Sequence, residues 1–316
     1  MLSKLAIDTL CVSVTLALSK NSYLACMKVP TNLLKDAVNH YLSDLKPIYG
    51  EEESRQLLYV LTSFYFGYDR FRLAMEPDFR LSESEMLKLH FGVKELLRFK
   101  PVQYITGETT FLGRVFNVNN SALIPRPETE ELVLRAISLC KQDPAFKKVL
   151  DAGTGSGNIA ISLKMELPDL DVYACDISKE VLDLAVKNAE KLQAQVHFFQ
   201  CDLAKDLSLL ALDDYDLIIS NPPYVTESEK AGMFPNVLNY EPHQALFAPV
   251  HDPIYYYRHL IKLANHSLRS KGYLVMEVNE NYGNQVVDLL INCHYTQVEI
   301  AKDIHEKQRM IIARKN

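Results

Sequence analysis

The chain has 316 residues, of which 48% are hydrophobic and 23% are charged, and its formal net charge is −6. This length predicts two domains, and the composition is that of an ordinary globular protein. The negative net charge argues against a broad basic face, so no stable nucleic-acid binding is expected. The six cysteines have no C-x-x-C spacing and no partnering His cluster, so neither a metal site nor a disulfide framework is predicted.

Residues 1–26 contain an apolar run from Leu5 to Leu18 that at first sight resembles a secretion signal. Asp8 interrupts this run, which is also too short to span a bilayer. We therefore interpret residues 1–26 as a poorly ordered or wrongly assigned extension before a start at Met27. A cytoplasmic protein without membrane attachment is expected.

Residues 27–100 show a helical pattern throughout, with apolar side chains recurring at helical spacing. Ser82 followed by Glu85 is a capping box that predicts the start of a third long helix. The segment has no paired carboxylates or His cluster, so a structural or substrate-recognition role is the default. Residues 101–122 are predicted to form a β-hairpin linker, because side chains alternate around Gly113.

Residues 123–316 are predicted to form an α/β domain, because strand-like and helix-like runs alternate from Lys147 onward. This alternation predicts a doubly wound, mostly parallel sheet of about seven strands with helices on both faces. The last two strands, at residues 296–300 and 308–313, are too close in sequence for a crossover helix. They must therefore pair antiparallel.

The segment before the first strand of this domain is rich in proline and charge. Pro125 and Pro127 fix the approach to a helix that is expected to start near Glu128. On composition alone, Arg126, Glu128 and the acidic residues that follow favour a solvated first turn that complements the helix dipole.

A glycine-rich turn directly follows the first strand of the predicted sheet. Its members are Asp151, Gly153, Thr154, Gly155, Ser156 and Gly157. Glycine lets a backbone approach a ligand where a Cβ would clash. The spacing is not the G-x-G-x-x-G of dinucleotide sites, and the lysine of a P-loop is absent, so alone the turn is a weak indication of a nucleoside cofactor.

Aspartates at the next two strand ends strengthen this interpretation. Asp176 ends the second strand, where an acidic residue of doubly wound folds accepts both ribose hydroxyls. Asp202 ends the third strand, where its carboxylate could meet an adenine amino group beside Leu203. Each aspartate alone would be interpreted as a helix N-cap or turn residue. With Asp151, three carboxylates on three successive strand ends predict a cofactor site.

The fourth strand ends in an Asn-Pro-Pro-Tyr turn. Residues 215–219 are apolar enough for a strand buried on both faces, so Asn221 is expected just past its carboxyl end, where open α/β sheets bind ligands. Pro222 and Pro223 stiffen the turn and would hold the Asn221 amide and the Pro222 carbonyl in place. With the ring of Tyr224, these oxygens form a socket for a planar group that carries an NH2. The alternative is an ordinary β-turn.

This constellation resembles the class I methyltransferases that depend on S-adenosylmethionine (SAM), and the Asn-Pro-Pro-Tyr turn resembles their amino-methylating branch. Three segments further resemble the release-factor glutamine methyltransferases, the HemK/PrmC family: residues 101–108, 124–132 and 240–242. The resemblance implies a Rossmann-like sheet joined to a small N-terminal helical bundle, with SAM as cofactor. It also implies a substrate, the glutamine of the Gly-Gly-Gln loop of a class 1 peptide-chain release factor, methylated on its side-chain nitrogen N5.

The resemblance also implies roles for individual residues. Asn221 and Pro222 are expected to accept the two N–H groups of the substrate amide, and Tyr224 to close over it, which makes these three the catalytic residues. The substrate-binding residues are Asn221, Pro222, Pro223 and Tyr224. The cofactor-binding residues are Asp151, Gly153, Thr154, Gly155, Ser156, Gly157, Asp176, Asp202, Leu203 and Asn221.

The expected partner is the release factor itself, bound by a monomer. Three alternatives stay open at this point. The first is a methyltransferase acting on a ribosomal-protein glutamine, which is disfavoured mainly by the segment around Arg126. The second is a nucleic-acid adenine methyltransferase, which the net charge disfavours. The third is a SAM-binding scaffold without activity, which an intact Asn-Pro-Pro-Tyr turn disfavours.

Overall fold

The computed structural model describes Val29 and residues 31–205, 214–303 and 305–316. The expectation for residues 1–26 lies outside these described residues. The chain divides into two compact units, the second of which runs from Gly107 to Asn316. None of the helices in the described ranges combines the length and the apolar character needed to cross a membrane.

The first unit is helical, as predicted. Its helices are α1 (Leu34–Tyr49), α2 (Glu51–Phe66), α3 (Arg70–Met75), α4 (Glu83–Leu96) and α5 (Val102–Thr106). The capping box is confirmed at the start of α4, where Ser82 and Glu85 each accept a hydrogen bond from the backbone of the other. Leu58, Leu61 and Leu89 are fully buried in the core of this unit. Their burial explains why the apolar residues recur at helical spacing.

The second unit begins with a hairpin of β1 (Glu108–Phe111) and β2 (Arg114–Asn117), which pair antiparallel. The hairpin turn is attached to the following helix, because the Leu112 backbone N–H donates to Glu130 Oε1 at 2.7 Å. The Asn117 N–H donates to the buried Asn188 Oδ1, also at 2.7 Å. The two strands span residues 108–117, so the hairpin is shorter than the predicted segment 101–122. The first part of that segment forms α5 instead.

The rest of the second unit alternates strands and helices. The strands are β3 (Lys148–Ala152), β4 (Asp171–Asp176), β5 (His197–Gln200), β6 (Tyr215–Ser220), β7 (Leu268–Glu277), β8 (Thr296–Lys302) and β9 (Gln308–Arg314). The helices are α6 (Pro127–Gln142), α7 (Asn158–Glu166), α8 (Lys179–Leu192), α9 (Pro235–Tyr240), α10 (His243–Leu246), α11 (Tyr255–Ser267) and α12 (Gly283–Asn292), with a 3-10 helix at Glu227–Gly232.

These strands form one sheet in the order β5-β4-β3-β6-β7-β9-β8. Strands β3 to β7 pair parallel, whereas β9 runs antiparallel to both β7 and β8. The predicted sheet and the predicted antiparallel pairing at its end are confirmed. The strand order reverses between β3 and β6, and the crevice at their carboxyl ends is the place where such sheets bind ligands.

Strand β6 is buried along its whole length, as the apolar run predicted. Leu217 and Ile219 pack into the core on one face of the sheet, and Ile218 packs into the core on the other. Asp151 of β3 pairs with Ile219 of β6, so the turns after the two strands begin at the same level. This register brings the glycine turn and the Asn-Pro-Pro-Tyr turn to one edge of the sheet.

Candidate active site

A cavity of about 360 Å³ lies at the carboxyl ends of β3, β4, β5 and β6. The sequence-predicted residues in its wall are Gly153, Thr154, Gly155, Ser156, Asp176, Asp202, Leu203, Asn221, Pro222 and Pro223. Asp151, Gly157 and Tyr224 are not part of this wall. The fold therefore brings most of the predicted site together and gives these three residues other contacts.

The glycine turn has a left-handed backbone, with φ of +81° at Gly153 and +57° at Gly155. The N–H groups of Gly153 and Thr154 both donate to the carbonyl of Cys175 at 2.9 Å, which fixes the turn to the end of β4. A Cβ added at either glycine would meet no atom within 4 Å. The positive φ, not crowding by the protein, therefore requires glycine at these two positions.

Gly157 has a different reason to be glycine. Its φ is +83°, and a Cβ there would lie 2.9 Å from Ile161 Cδ1 and 3.1 Å from Ala185 Cβ. Gly157 therefore allows α7 and α8 to pack closely, and its contact with a cofactor stays a prediction.

Asp151 supports the glycine turn from beneath. Its side chain is fully buried, and its Oδ2 accepts from Thr154 Oγ1 at 2.6 Å and from the Ala160 N–H at 3.1 Å. Its Oδ1 has no hydrogen-bond partner among the described residues. Burial raises the pKa of Asp151 to about 7. This carboxylate joins the turn to the start of α7, and its contact with a cofactor stays a prediction.

Asp176 connects β4 to the same turn and also lines the cavity. Its Oδ2 accepts from the Gly155 N–H at 3.1 Å, and its Oδ1 accepts from the Ser178 N–H at 3.0 Å. Burial raises the pKa of Asp176, and these backbone donors oppose the rise. Each carboxylate oxygen keeps a lone pair for a further donor, so the side chain can still accept from a ligand.

Asp202 has a more exposed setting than Asp176. Its Oδ2 forms an ion pair with Lys205 Nζ at 2.9 Å, and its Oδ1 accepts from the Ala204 N–H at 2.9 Å. The hydrogen bond from Lys205 lowers the pKa of Asp202. Leu203 follows directly in the cavity wall.

The Asn-Pro-Pro-Tyr turn is held by a short network of hydrogen bonds. Asn221 Nδ2 donates to Thr129 Oγ1 at 3.0 Å, and Thr129 Oγ1 donates to Glu277 Oε2 at 2.7 Å. The Tyr224 hydroxyl donates to the other oxygen of Glu277 at 2.8 Å. The ring of Tyr224 is therefore tied to β7, and its closure over a substrate stays a prediction.

Sequence reasoning missed Glu277 and Thr129. Glu277 is 1% exposed and Thr129 is 2% exposed. Burial raises the pKa of Glu277, while the hydroxyls of Thr129 and Tyr224 stabilise its carboxylate and oppose the rise. The sequence held one signal for Glu277, because it is a carboxylate at the end of an apolar strand. Acids are rarely buried without a partner, so such a residue predicts a polar contact.

The proline-rich segment is not the solvated first turn that composition favoured. Thr129 is buried, and Arg126 Nη2 donates to Glu241 Oε1 at 2.6 Å. Glu241 Oε2 also accepts from the Ile124 N–H at 3.2 Å, and its side chain is 1% exposed. This pair joins the segment before α6 to the one after α9, and both contribute to the cavity wall.

Aromatic residues at the start of α11 also line the cavity and were not predicted as site residues. They are Tyr255, Tyr256 and His259. Burial raises the pKa of Tyr256 and lowers that of His259. Three consecutive tyrosines at residues 255–257 were the signal in the sequence, although such a run is as compatible with core packing as with ligand contact.

A sheet of this topology, with a glycine turn after its first strand and an Asn-Pro-Pro-Tyr turn in the same cavity, defines a class I methyltransferase. The family model of the methyltransferase small domain matches residues 131–240, and that of the PrmC N-terminal domain matches residues 36–107. The chain is 42% identical to the release factor glutamine methyltransferase of Bacteroides thetaiotaomicron, over 85% of this chain and 95% of that protein. It is 38% identical to the enzyme of the same name from Flavobacterium psychrophilum, over 88% of this chain and 98% of that protein. The chain belongs to the family of release factor glutamine methyltransferases.

Among solved structures, the chain is similar to a methyltransferase from Pyrococcus furiosus, with 15% identity and a TM-score of 0.48. The similarity covers 74% of this chain and 100% of that chain.

Proposed function

We propose that this protein transfers a methyl group from SAM to the side-chain nitrogen N5 of the glutamine in the Gly-Gly-Gln loop of a class 1 peptide-chain release factor. One observation carries the proposal. Asn221 and Pro222, which can accept from a primary amide, line the same cavity as the glycine turn and Asp176. The family membership supports the same substrate.

The residues of the cavity fit the cofactor. Its volume of about 360 Å³ is in the range of small-molecule sites. The left-handed glycine turn leaves room for a ligand, Asp176 would accept from the ribose hydroxyls, and Asp202 with Leu203 would contact the adenine. When bound, SAM supplies an electrophilic methyl group on a sulfonium.

The side chains of the Asn-Pro-Pro-Tyr turn would act on the substrate amide. An amide nitrogen is a weak nucleophile, because its lone pair is delocalised into the carbonyl. Asn221 Oδ1 and the Pro222 carbonyl, each accepting one N–H, would orient this nitrogen and stabilise the positive charge that develops on it. No strong general base is needed, since the N-methylated amide cation loses its proton readily. Tyr224 would exclude water from these hydrogen bonds.

The proposal extends to the setting of the reaction. The substrate is a whole protein, to which the helical first unit would contribute binding surface, and the enzyme would act as a cytoplasmic monomer. Neither stable nucleic-acid binding nor membrane attachment is part of the proposed function.

The first test is Asn221→Ala. Deleting one preorganised acceptor that stabilises developing charge should lower kcat by about two to three orders of magnitude. Thermal stability and SAM affinity, measured by calorimetry, should stay close to those of the wild type. Asn292→Ala, which removes an exposed asparagine on α12, is the matched control and should keep full activity. An unchanged kcat of Asn221→Ala would refute the assigned role.

The substrate is tested on the release factor itself. A factor whose Gly-Gly-Gln glutamine is replaced by Glu or Ala should accept no labelled methyl group from the wild-type enzyme. Transfer to that altered factor, to a ribosomal protein or to adenine in DNA, at a rate comparable to that for the intact factor, would contradict the proposed substrate even if the role of Asn221 survived.

A further inference from the structure

The hydroxyl of Thr129 lies between the Asn221 amide and a buried carboxylate. Thr129 Oγ1 is 2.7 Å from Glu277 Oε2 and 3.0 Å from Asn221 Nδ2. Thr129 lies in the first turn of α6, Asn221 follows β6, and Glu277 ends β7. The parallel register places Asn221 and Glu277 side by side, because the residues directly before them, Ser220 and Met276, pair with each other.

The direction of these hydrogen bonds determines which end of the Asn221 amide faces Thr129. A carboxylate can only accept, so the single hydrogen of the Thr129 hydroxyl is used on Glu277. The hydroxyl oxygen then has only lone pairs to offer Asn221. The side of Asn221 that faces Thr129 must therefore be its NH2 group, and Oδ1 must point the other way.

The opposite orientation of the amide is unfavourable. It would place Asn221 Oδ1 against the lone pairs of Thr129 Oγ1 and leave both oxygens without a hydrogen. Leaving such polar groups unsatisfied corresponds to a preference of roughly 5- to 150-fold for the observed orientation. Oδ1 of Asn221 has no hydrogen-bond partner within the described parts of the chain, and Asn221 lines the cavity. Its acceptor is therefore left for a ligand there.

The same carboxylate also holds the other end of the turn. The Tyr224 hydroxyl donates to Glu277 Oε1 at 2.8 Å, so each oxygen of Glu277 receives one hydroxyl. The hydroxyls of Thr129 and Tyr224 can both donate only if each oxygen of Glu277 is free to accept, as in the ionised carboxylate. Arg309, whose guanidinium lies 6.0 Å from the centre of the Tyr224 ring, adds positive charge that favours the carboxylate form.

We propose that Thr129 and Glu277 are positioning residues that set the orientation of the Asn221 amide, so that Oδ1 faces the substrate glutamine. The inference rests on the proposed function, because it assigns these residues to the acceptor that binds the substrate N–H. Thr129 is part of the cavity wall beside Asn221 and Glu277 is not, and the role assigned to both is to position Asn221. Both act through Asn221, and Glu277 acts through Thr129.

The test is a comparison of two substitutions at Thr129. Thr129→Val keeps the shape of the side chain but removes the acceptor of the Asn221 NH2 group, so the amide is neither oriented nor held in place. We expect kcat for release-factor methylation to fall by about 10- to 100-fold, while SAM affinity and KM for the release factor change by less than about threefold. Thr129→Ser restores the hydroxyl and should recover kcat to within about threefold of the wild type.

Thr62→Val is the matched control. Thr62 is also fully buried, and its hydroxyl donates to the Tyr68 carbonyl at 2.7 Å in the first unit. This substitution should lower the melting temperature without lowering kcat. Loss of kcat in Thr62→Val equal to that in Thr129→Val would show that losing any buried hydroxyl is sufficient, and would overturn the proposal.

A double-mutant cycle with Asn221→Ala separates positioning from a merely structural role. If Thr129 acts through Asn221, Thr129→Val should cause less than about a twofold further loss of kcat in the Asn221→Ala background. Equal losses in both backgrounds would overturn the proposal. If Thr129→Val does not fold, Thr129→Ala is taken through the same cycle with the same criteria.

The cycle also distinguishes the two levels of the argument. A large loss in Asn221→Ala together with wild-type kcat in Thr129→Val would overturn the positioning role and leave the proposed function standing. Wild-type kcat in Asn221→Ala would overturn the role of Asn221 in the proposed function, and the positioning role with it.

Discussion

Asp151 shows how strongly the surroundings of a single residue decide its role. Its Oδ2 binds two donors of the glycine turn and α7, while its Oδ1 is buried without a partner among the described residues. An ionised carboxylate in such a setting is destabilised by the loss of water, and this burial raises the pKa of Asp151 to about 7. The residue therefore opposes folding when it is ionised, although it holds the turn in place.

The stability of the protein should reflect this titration. The pKa of Asp151 is raised from 3.8 to about 7, so the folded state binds the proton more tightly than the unfolded state. The free energy of unfolding contributed by this group therefore falls as pH rises from about 4 to about 7. Asp151→Asn cannot titrate, and its amide oxygen can keep both hydrogen bonds of Oδ2. The free energy of unfolding of Asp151→Asn, relative to that of the wild type, should therefore increase by about 2 kcal/mol between about pH 5.5 and pH 8.

Urea unfolding at both pH values measures this difference. Asp183→Asn, which removes an exposed carboxylate on α8, controls for the change in net charge. Parallel stability curves for Asp151→Asn and wild type would show that Asp151 is not the titrating group.

The glycine turn shapes one end of the cavity, and its positions require glycine for different physical reasons. Gly157 needs both a left-handed backbone and an absent Cβ, whereas Gly113 in the hairpin turn, with φ of +73°, has no atom within 4 Å of an added Cβ. The two positions form a matched pair in the same unit.

Alanine at these two positions should separate strain from packing. Gly113→Ala should cost about 1 kcal/mol, because alanine pays only for the left-handed conformation. Gly157→Ala should cost about 1–3 kcal/mol more, since its Cβ would overlap Ile161 and approach Ala185. Denaturant unfolding gives both values, and equal losses would mean that α7 and α8 shift apart at little cost.

Local signals in the sequence predicted some elements well and others not at all. The capping box of Ser82 and Glu85 depends on residues three positions apart, so it was visible in the sequence. The contact from Asn221 to Thr129 spans 92 positions, and that from Thr129 to Glu277 spans 148. No periodicity links residues at such separations, and composition favoured a solvated setting for the segment that contains Thr129.

At the scale of the whole molecule, the two units have separate cores. The wall of the cavity, as far as the chain is described, consists of residues between Ser121 and His259, all in the second unit. Cofactor binding should therefore not require side chains of the first unit. A release factor is a large partner, and recognition of a protein needs more surface than a single glutamine offers.

Removal of the first unit should separate these two properties. Residues 107–316 alone are expected to bind SAM within about threefold of the full chain by calorimetry, and to lose at least about 100-fold in kcat/KM for the release factor, which corresponds to about 3 kcal/mol. Full-length Asn221→Ala is the control, because it should bind the release factor with unchanged affinity and lose activity through kcat alone. Wild-type methylation by residues 107–316 would show that the first unit is not needed for recognition.

The sequence by itself determined the alternation of strands and helices, the glycine turn after β3, and the Asn-Pro-Pro-Tyr turn after β6, because periodicity and turn chemistry act between near neighbours in the chain. It also placed these turns at one edge, since parallel strands align their carboxyl ends. Only the tertiary structure decided that β3 lies between β4 and β6, that Arg126 reaches Glu241, and that Asp151 faces inward. Packing across the whole sheet determines which distant polar groups are buried together. Once buried, these groups must satisfy one another's hydrogen bonds, and no local pattern in the sequence specifies the partners.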